Sequence, residues 1–209
     1  MKLLLVGSTG LVGRHVLDLA LADERIDAVI APVRHDVTSH SKLLAPIVDF
    51  EHLPNDEDWW RVDGVICTLG TTMRAAGSQE AFRRVDHDYV LAFARIARQH
   101  GASTFALNSA MGANPSSRFF YNRVKGELER DLATLDFQSL TFVRPGLIGG
   151  KRDETRTAER IAAIVLGALH PILPRHLRIN PSERIAQALI DAAIAARPGA
   201  HIVGSAELT

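Results

Sequence analysis

Cysteine is almost missing from this 209-residue chain. Cys67 is the only one, which excludes an internal disulfide and any cysteine-rich zinc site and makes a reducing cytoplasm the expected compartment. Tyrosine is scarce as well, with Tyr89 and Tyr121 the only two. Excess charge of one sign is absent. The 24 Lys and Arg residues match 24 Asp and Glu, and no block of like charges offers nucleic acid an electrostatic footprint. Long apolar runs are missing too. The run nearest the start, Leu3 to Val6, is too short for a signal-peptide core or a spanning helix, so no membrane partner is expected. The nine histidines are scattered. His170 and His176 flank a proline-rich turn with no acidic or cysteine partner at ligand spacing, so no metal site is expected.

What the chain does have is a steady alternation. Hydrophobic residues make up 46% and charged residues 23%, ordinary values for a globular domain, and the length suits one sizeable core. Strand-length apolar runs occur at Leu3–Val6, Ile26–Val33, Ile47–Phe50, Val62–Leu69, Thr104–Leu107 and Leu140–Val143. Helical patterns lie between them: Leu11–Ala22, then Gln79–His100 with Phe82, Val85, Tyr89, Phe93 and Ile96 at spacings of three and four, then Tyr121–Leu135. Gly101 stands where the second of these should close. Such alternation predicts a doubly wound parallel sheet, a Rossmann fold covered on both faces. The tail predicts a helix over Ala158–Ala168, a break at His170–Pro174, a last helix capped by Ser182 and a final strand near His201–Val203. We expect one domain over 1–209, with 147–209 mostly a substrate-side lobe plus the final sheet elements.

Directly after the first strand stands Gly7-Ser8-Thr9-Gly10-Leu11-Val12-Gly13, followed by Arg14. Glycines at such a turn permit a tight bend and a close approach of backbone to a pyrophosphate, which then faces the N-terminus of the next helix. At the end of the second strand, an acidic residue would suit a ribose 2′-hydroxyl and an arginine a 2′-phosphate. Arg34 holds that place, which favours NADP(H) over NAD(H), with Arg14 a second phosphate contact. The alternative leaves both as solvated cations, and Asp36 nearby suits a hydroxyl. Asp49 and Phe50, ending the third strand, would flank the adenine, although Asp49 equally suits an ordinary turn.

Later strands should end at the same edge, presenting Leu69-Gly70-Thr71, Ser109 and Pro145-Gly146. Tyr121 and Lys125 lie four apart on a helix, so their side chains share one face. An ammonium favours a neighbouring phenolate, which makes a tyrosine a usable proton donor and acceptor. With Ser109 to hold the same oxygen, the set suits transfer of hydride to or from a small carbonyl or alcohol. Against this stands a plainer reading, with Tyr121 at a core edge and Lys125 laid along its helix.

The order Gly7-x-x-Gly10-x-x-Gly13, Ser109, Tyr121-x-x-x-Lys125 and Arg144-Pro-Gly146 resembles the atypical short-chain dehydrogenase/reductases. Cys67-Thr-Leu-Gly-Thr-Thr72 and Phe120-Tyr-Asn-Arg-Val-Lys-Gly-Glu127 are more closely similar to the Tat-interactive-protein family of NADPH-binding oxidoreductase-like proteins. The resemblance implies that Gly7, Thr9, Gly10 and Gly13 bind pyrophosphate and Arg34 reads the 2′-phosphate. It implies Ser109, Tyr121 and Lys125 as the active triad, Lys125 on the nicotinamide ribose, and Pro145-Gly146 beside the nicotinamide amide. Leu69-Gly-Thr-Thr72 departs from the Asn-Asn-Ala-Gly of many superfamily enzymes.

Cys67, on a buried strand, reads as packing. Trp59 and Trp60 read as a helix docking on the sheet, or as a partner site. The helix at Gln79–His100 could serve a homodimer, though core packing explains its apolar face equally well. Two functions follow: an NADP(H)-dependent oxidoreductase, or a non-catalytic NADPH sensor acting through a protein partner.

Overall fold

The computed structural model describes residues 1–149 and 178–209. The predicted helix at Ala158–Ala168, the His170–Pro174 break and the two histidines beside it lie outside the described residues. Strand β1 (Lys2–Val6) is buried on both faces, and its residues alternate between two cores. Leu4 and Val6 join one core, Leu3 and Leu5 the other. This is what a strand inside a helix-covered parallel sheet requires.

The remaining strands of the main sheet are β2 (Ala28–Ile30), β3 (Leu43–Leu44), β4 (Gly64–Cys67), β5 (Thr104–Asn108) and β6 (Ser139–Arg144). Seven strands run in the order β3-β2-β1-β4-β5-β6 and then Gly199–Gly204, all parallel. The order reverses between β1 and β4. That is the switch point at which doubly wound sheets bind ligands. The fold is a single Rossmann domain, as the alternation predicts.

Helix α1 (Leu11–Ala22) covers one face through Val12, Val16 and Ala20. The helix predicted over Gln79–His100 is continuous but not uniform. It begins as α3 (Gln79–Arg83) after a short α2 (Met73–Ala76), passes through a π-helical segment at Arg84–Tyr89 and ends as α4 (Val90–Gln99). Gly101, at φ +100°, follows its C-cap. Bonding across five residues instead of four widens a π turn by one residue. The buried face therefore runs from Phe82 to Asp86 and His87 and on to Val90 and Phe93, while Val85 and Tyr89 are only half-buried. Core packing accounts for the apolar face of this helix. Helix α5 (Phe120–Ala133) lies beside it.

Two expectations change. The predicted third strand at Ile47–Phe50 is displaced to Leu43–Leu44, where the carbonyls of Lys42 and Leu44 accept from Val29 and Ala31. Pro46 has no N–H to continue the ladder, and pairing resumes only as the single Val33–Ile47 bridge. Ser182 is the first residue of helix α6 (Ser182–Ala195) and not its cap; Pro181 holds that position. A small parallel pair, β7 (Ile148–Gly149) and β8 (Asn180–Pro181), precedes α6, which packs on the α1 side of the sheet. The last strand, β9 (Gly199–Gly204), extends the sheet beyond β6 and contains the predicted His201–Val203. Trp60 is fully buried on Phe93, with its indole N–H on the Pro54 carbonyl at 2.6 Å, so the tryptophan pair docks on the core.

Candidate active site

The turn after β1 is shaped by two close approaches. Gly7 sits at φ +88°, and a Cβ there would lie 2.6 Å from the Leu69 nitrogen. A Cβ on Gly13 would lie 2.0 Å from the Gly7 carbonyl oxygen, so α1 presses directly on the turn. Gly10 is the N-cap of α1 and offers no side chain to its first-turn N–H groups; the first turn carries no acidic residue. The open helix end formed by Gly10, Leu11 and Val12 lines a cavity of about 560 Å³. Unsatisfied N–H groups at the positive end of a helix suit an anion. This arrangement fits a pyrophosphate. Arg14 donates through Nε to the Thr9 carbonyl at 3.0 Å, bracing the turn, and Ser8 is buried. We expect Gly13→Ala to destabilise the chain by about 1–3 kcal/mol through overpacking. It should also weaken dinucleotide binding; calorimetry of the variant checks both.

The same cavity is lined by Leu69, Gly70 and Thr71 after β4, by Asn108 and Ser109 at the end of β5, and by Tyr121 and Lys125 on α5. Sequence spacing thus gathers its three candidate catalytic residues in one place. Tyr121 is 39% exposed and rests its ring against Phe82 at 5.6 Å, so its hydroxyl is accessible from solvent. Lys125 is buried, and its Nζ lies 2.8 Å from Asp86 Oδ1. Burial alone would push this ammonium below the ordinary lysine value, but the Asp86 carboxylate, with Tyr121 adding to it, holds it above. Ser109 is buried and its hydroxyl donates to Glu129 Oε1 at 2.5 Å. Arg144 at the end of β6 clasps both oxygens of that carboxylate, through Nε at 3.0 Å and through Nη2. Tyr121, Lys125 and Glu129 form one line along α5, at i, i+4 and i+8.

Two carboxylates therefore belong to the site that sequence reasoning missed, Asp86 and Glu129. Cys67 beside them is an inert wall: burial pushes its thiol up to about 12.

Other candidates lie apart from the cavity lining. Arg34 is exposed beyond the end of β2. Asp49 is committed to its own turn, accepting from the Glu51 N–H and meeting His52 Nδ1, both at 2.9 Å. The bond to His52 holds its carboxyl below the usual range. Phe50 packs edge-on against Phe93 and Tyr89. Pro145 accepts from the Met111 N–H at 2.8 Å, and the Gly146 N–H donates to the buried Asn180 at 2.7 Å. Asn180 also reaches the Ser205 carbonyl and accepts from the Ser205 hydroxyl. It fixes the stretch after β6 to the tail, which nothing in the sequence signalled.

Comparison with known proteins then settles kinship. The protein named Fmp52, mitochondrial, of Aspergillus fumigatus is 34% identical over 217 residues, covering 98% of this chain and 92% of that one. HTATIP2 of Rattus norvegicus is 35% identical over 170 residues, 79% of this chain and 70% of its own length. This chain belongs to their family. No family model matches the chain. Among solved structures, MoeE5 in complex with UDP-glucuronic acid and NAD has a TM-score of 0.75 at 15% identity, covering 97% of this chain and 75% of that one. A short chain dehydrogenase family protein from Francisella tularensis reaches 0.67 at 16% identity, covering 99% of this chain and 98% of the other. Both share the fold. The cytoplasmic expectation is corrected by the fungal relatives, which are named as mitochondrial. A single cysteine marks a reducing compartment without telling one such compartment from another. Among the described residues no helix is long and apolar enough to cross a membrane.

Proposed function

We propose that the chain binds NADP(H) and acts as an oxidoreductase on a small carbonyl or alcohol. One observation carries the reading: Tyr121, Lys125 and Ser109 line the same cavity as the open N-terminus of α1. Gly7–Gly13 would hold the pyrophosphate, the Lys125 ammonium the nicotinamide ribose, and Pro145-Gly146 the nicotinamide amide. The cofactor supplies or accepts the hydride. Tyr121 passes its phenolic proton to the substrate oxygen, or takes it back in the reverse direction. Ser109 steadies that oxygen. The NAD in the MoeE5 complex supports a nicotinamide dinucleotide on this fold, and the name of the fungal relatives supports a mitochondrial location.

The 2′-phosphate falls to Arg34, whose guanidinium stands where a hydroxyl reader would carry a carboxylate. A hydrogen bond to a charged group contributes about 1.5–3 kcal/mol. Arg34→Ala should therefore weaken NADPH about 10- to 100-fold while leaving NADH nearly unchanged, as read by fluorescence titration of both. Equal affinity of the unmutated chain for the two cofactors would remove the NADP(H) preference.

One observation favours the NADPH-sensor reading. Ser109 already gives its one hydroxyl proton to Glu129, and Lys125 is paired with Asp86, so the serine has no proton left to offer a substrate oxygen. A sensor predicts NADPH-dependent association with a protein partner and no turnover of any aldehyde or ketone.

A further inference from the structure

A buried ammonium needs a counter-charge, and here one residue provides it. The Lys125 side chain retains 5% of its accessible surface and that of Asp86 1%. Left alone, a cation at such a depth gives up its proton. Asp86 Oδ1 meets it at 2.8 Å, and Asp86 Oδ2 accepts from the Thr71 backbone N–H at 2.7 Å. One carboxylate thus ties α5 to the loop after β4. The space between them is closed, because a Cβ on Gly70 would lie 3.1 Å from Asp86 Oδ1 and 3.7 Å from Lys125 Nζ. The π-helical segment brings Asp86 to the buried face, and such segments recur at functional sites. Among the described residues, the other ionisable groups acting on Lys125 are Tyr121, one turn back on α5, and the Cys67 thiol on β4. Burial keeps that thiol neutral, which leaves Asp86 as the compensating anion.

We propose that Asp86 is the positioning residue of this site, holding the Lys125 ammonium in place by charge and locking the Leu69–Thr72 loop against it. The proposal rests on the reading above, in which Lys125 holds the nicotinamide ribose. It makes Asp86 a residue that the site cannot replace with a neutral amide of the same shape.

Lys2, Lys42, Lys125 and Lys151 are the only lysines, so a full-length chain labelled with carbon-13 at lysine Cε gives few resonances. Loss of one signal in Lys125→Arg assigns Lys125. In the parent, that signal should keep its charged form beyond the ordinary lysine value of about 10.4. In Asp86→Asn it should titrate roughly 3 pH units earlier, as a buried ammonium without its partner does. NADPH affinity should fall about tenfold between about pH 6 and pH 9 in Asp86→Asn, stay level in the parent, and return in Asp86→Glu. A Lys125 titration unchanged in Asp86→Asn overturns the proposal. So does a loss of affinity equal at every pH, which marks a purely structural role. If Asp86→Asn does not fold, the parent decides: titration of Lys125 below the ordinary value overturns the proposal, and above it supports it. A parent that binds no NADPH removes the cofactor reading, while the lysine titration still judges Asp86.

Discussion

Replacing Tyr121 with phenylalanine is expected to lower NADPH-dependent turnover by about 10²–10⁴-fold, the usual contribution of a positioned proton donor. The structure makes this substitution a clean one. The ring is held by Phe82, which phenylalanine at 121 still meets, and the side chain is 39% exposed. No group of the protein among the described residues bonds the Tyr121 hydroxyl, so its removal strands no buried partner. Stability should change by no more than about 0.5 kcal/mol. NADPH affinity should also hold, because the pyrophosphate turn and Lys125 are untouched. The measurement is NADPH oxidation with a panel of small aliphatic and aromatic aldehydes and ketones, with affinity followed in parallel. Full activity in Tyr121→Phe would dismiss the catalytic assignment. No turnover by either protein, with NADPH bound equally by both, would favour the sensor.

What the sequence made legible were the features with strong local rules. A four-residue apolar run, three spaced glycines and an amphipathic helix specify β1, its turn and α1 from neighbours alone. Tyr121 and Lys125 were legible for the same reason, since helical spacing alone sets their relation. The third strand was not. Leu43–Leu44 is two residues long, carries no period, and gains its place from the backbone of β2. The adenine assignment of Asp49 and Phe50 leaned on that strand and now stands in a turn beyond it.

The missed carboxylates were obscured in different ways. Asp86 sat in plain view within the helix pattern, but uniform spacing put Val85 and Tyr89 on the buried stripe. The π turn rotates that face by one residue and buries Asp86 and His87 instead. Buried charge at Asp86 was detectable only as a carboxylate four residues after Phe82, the last fully buried anchor before the π segment. Glu129 looked like one more charge on a polar helix. Its partners, Ser109 and Arg144, come from the ends of two different strands, and only the sheet brings them to it.

That network should also be among the most costly to break. Glu129→Ala leaves Arg144 without its bidentate partner and Ser109 without its acceptor, deep beside the cavity. Removing one member of a buried ion pair costs about 3–5 kcal/mol, because the other charge stays desolvated. The lower end applies here, since the Arg144 side chain keeps 27% of its exposure while that of Glu129 keeps 6%. For a chain of this size, about 3 kcal/mol lowers the melting temperature by roughly 6–12 °C. The double variant Glu129→Leu/Arg144→Met should recover most of that loss, because it removes the stranded charge as well as its partner. Thermal unfolding of the parent, Glu129→Ala and the double variant tests this. A loss below about 1 kcal/mol in Glu129→Ala would mean that the pair behaves as a surface contact. A double variant no better than the single one would locate the cost in the serine bond, and hence in the placement of Ser109 itself.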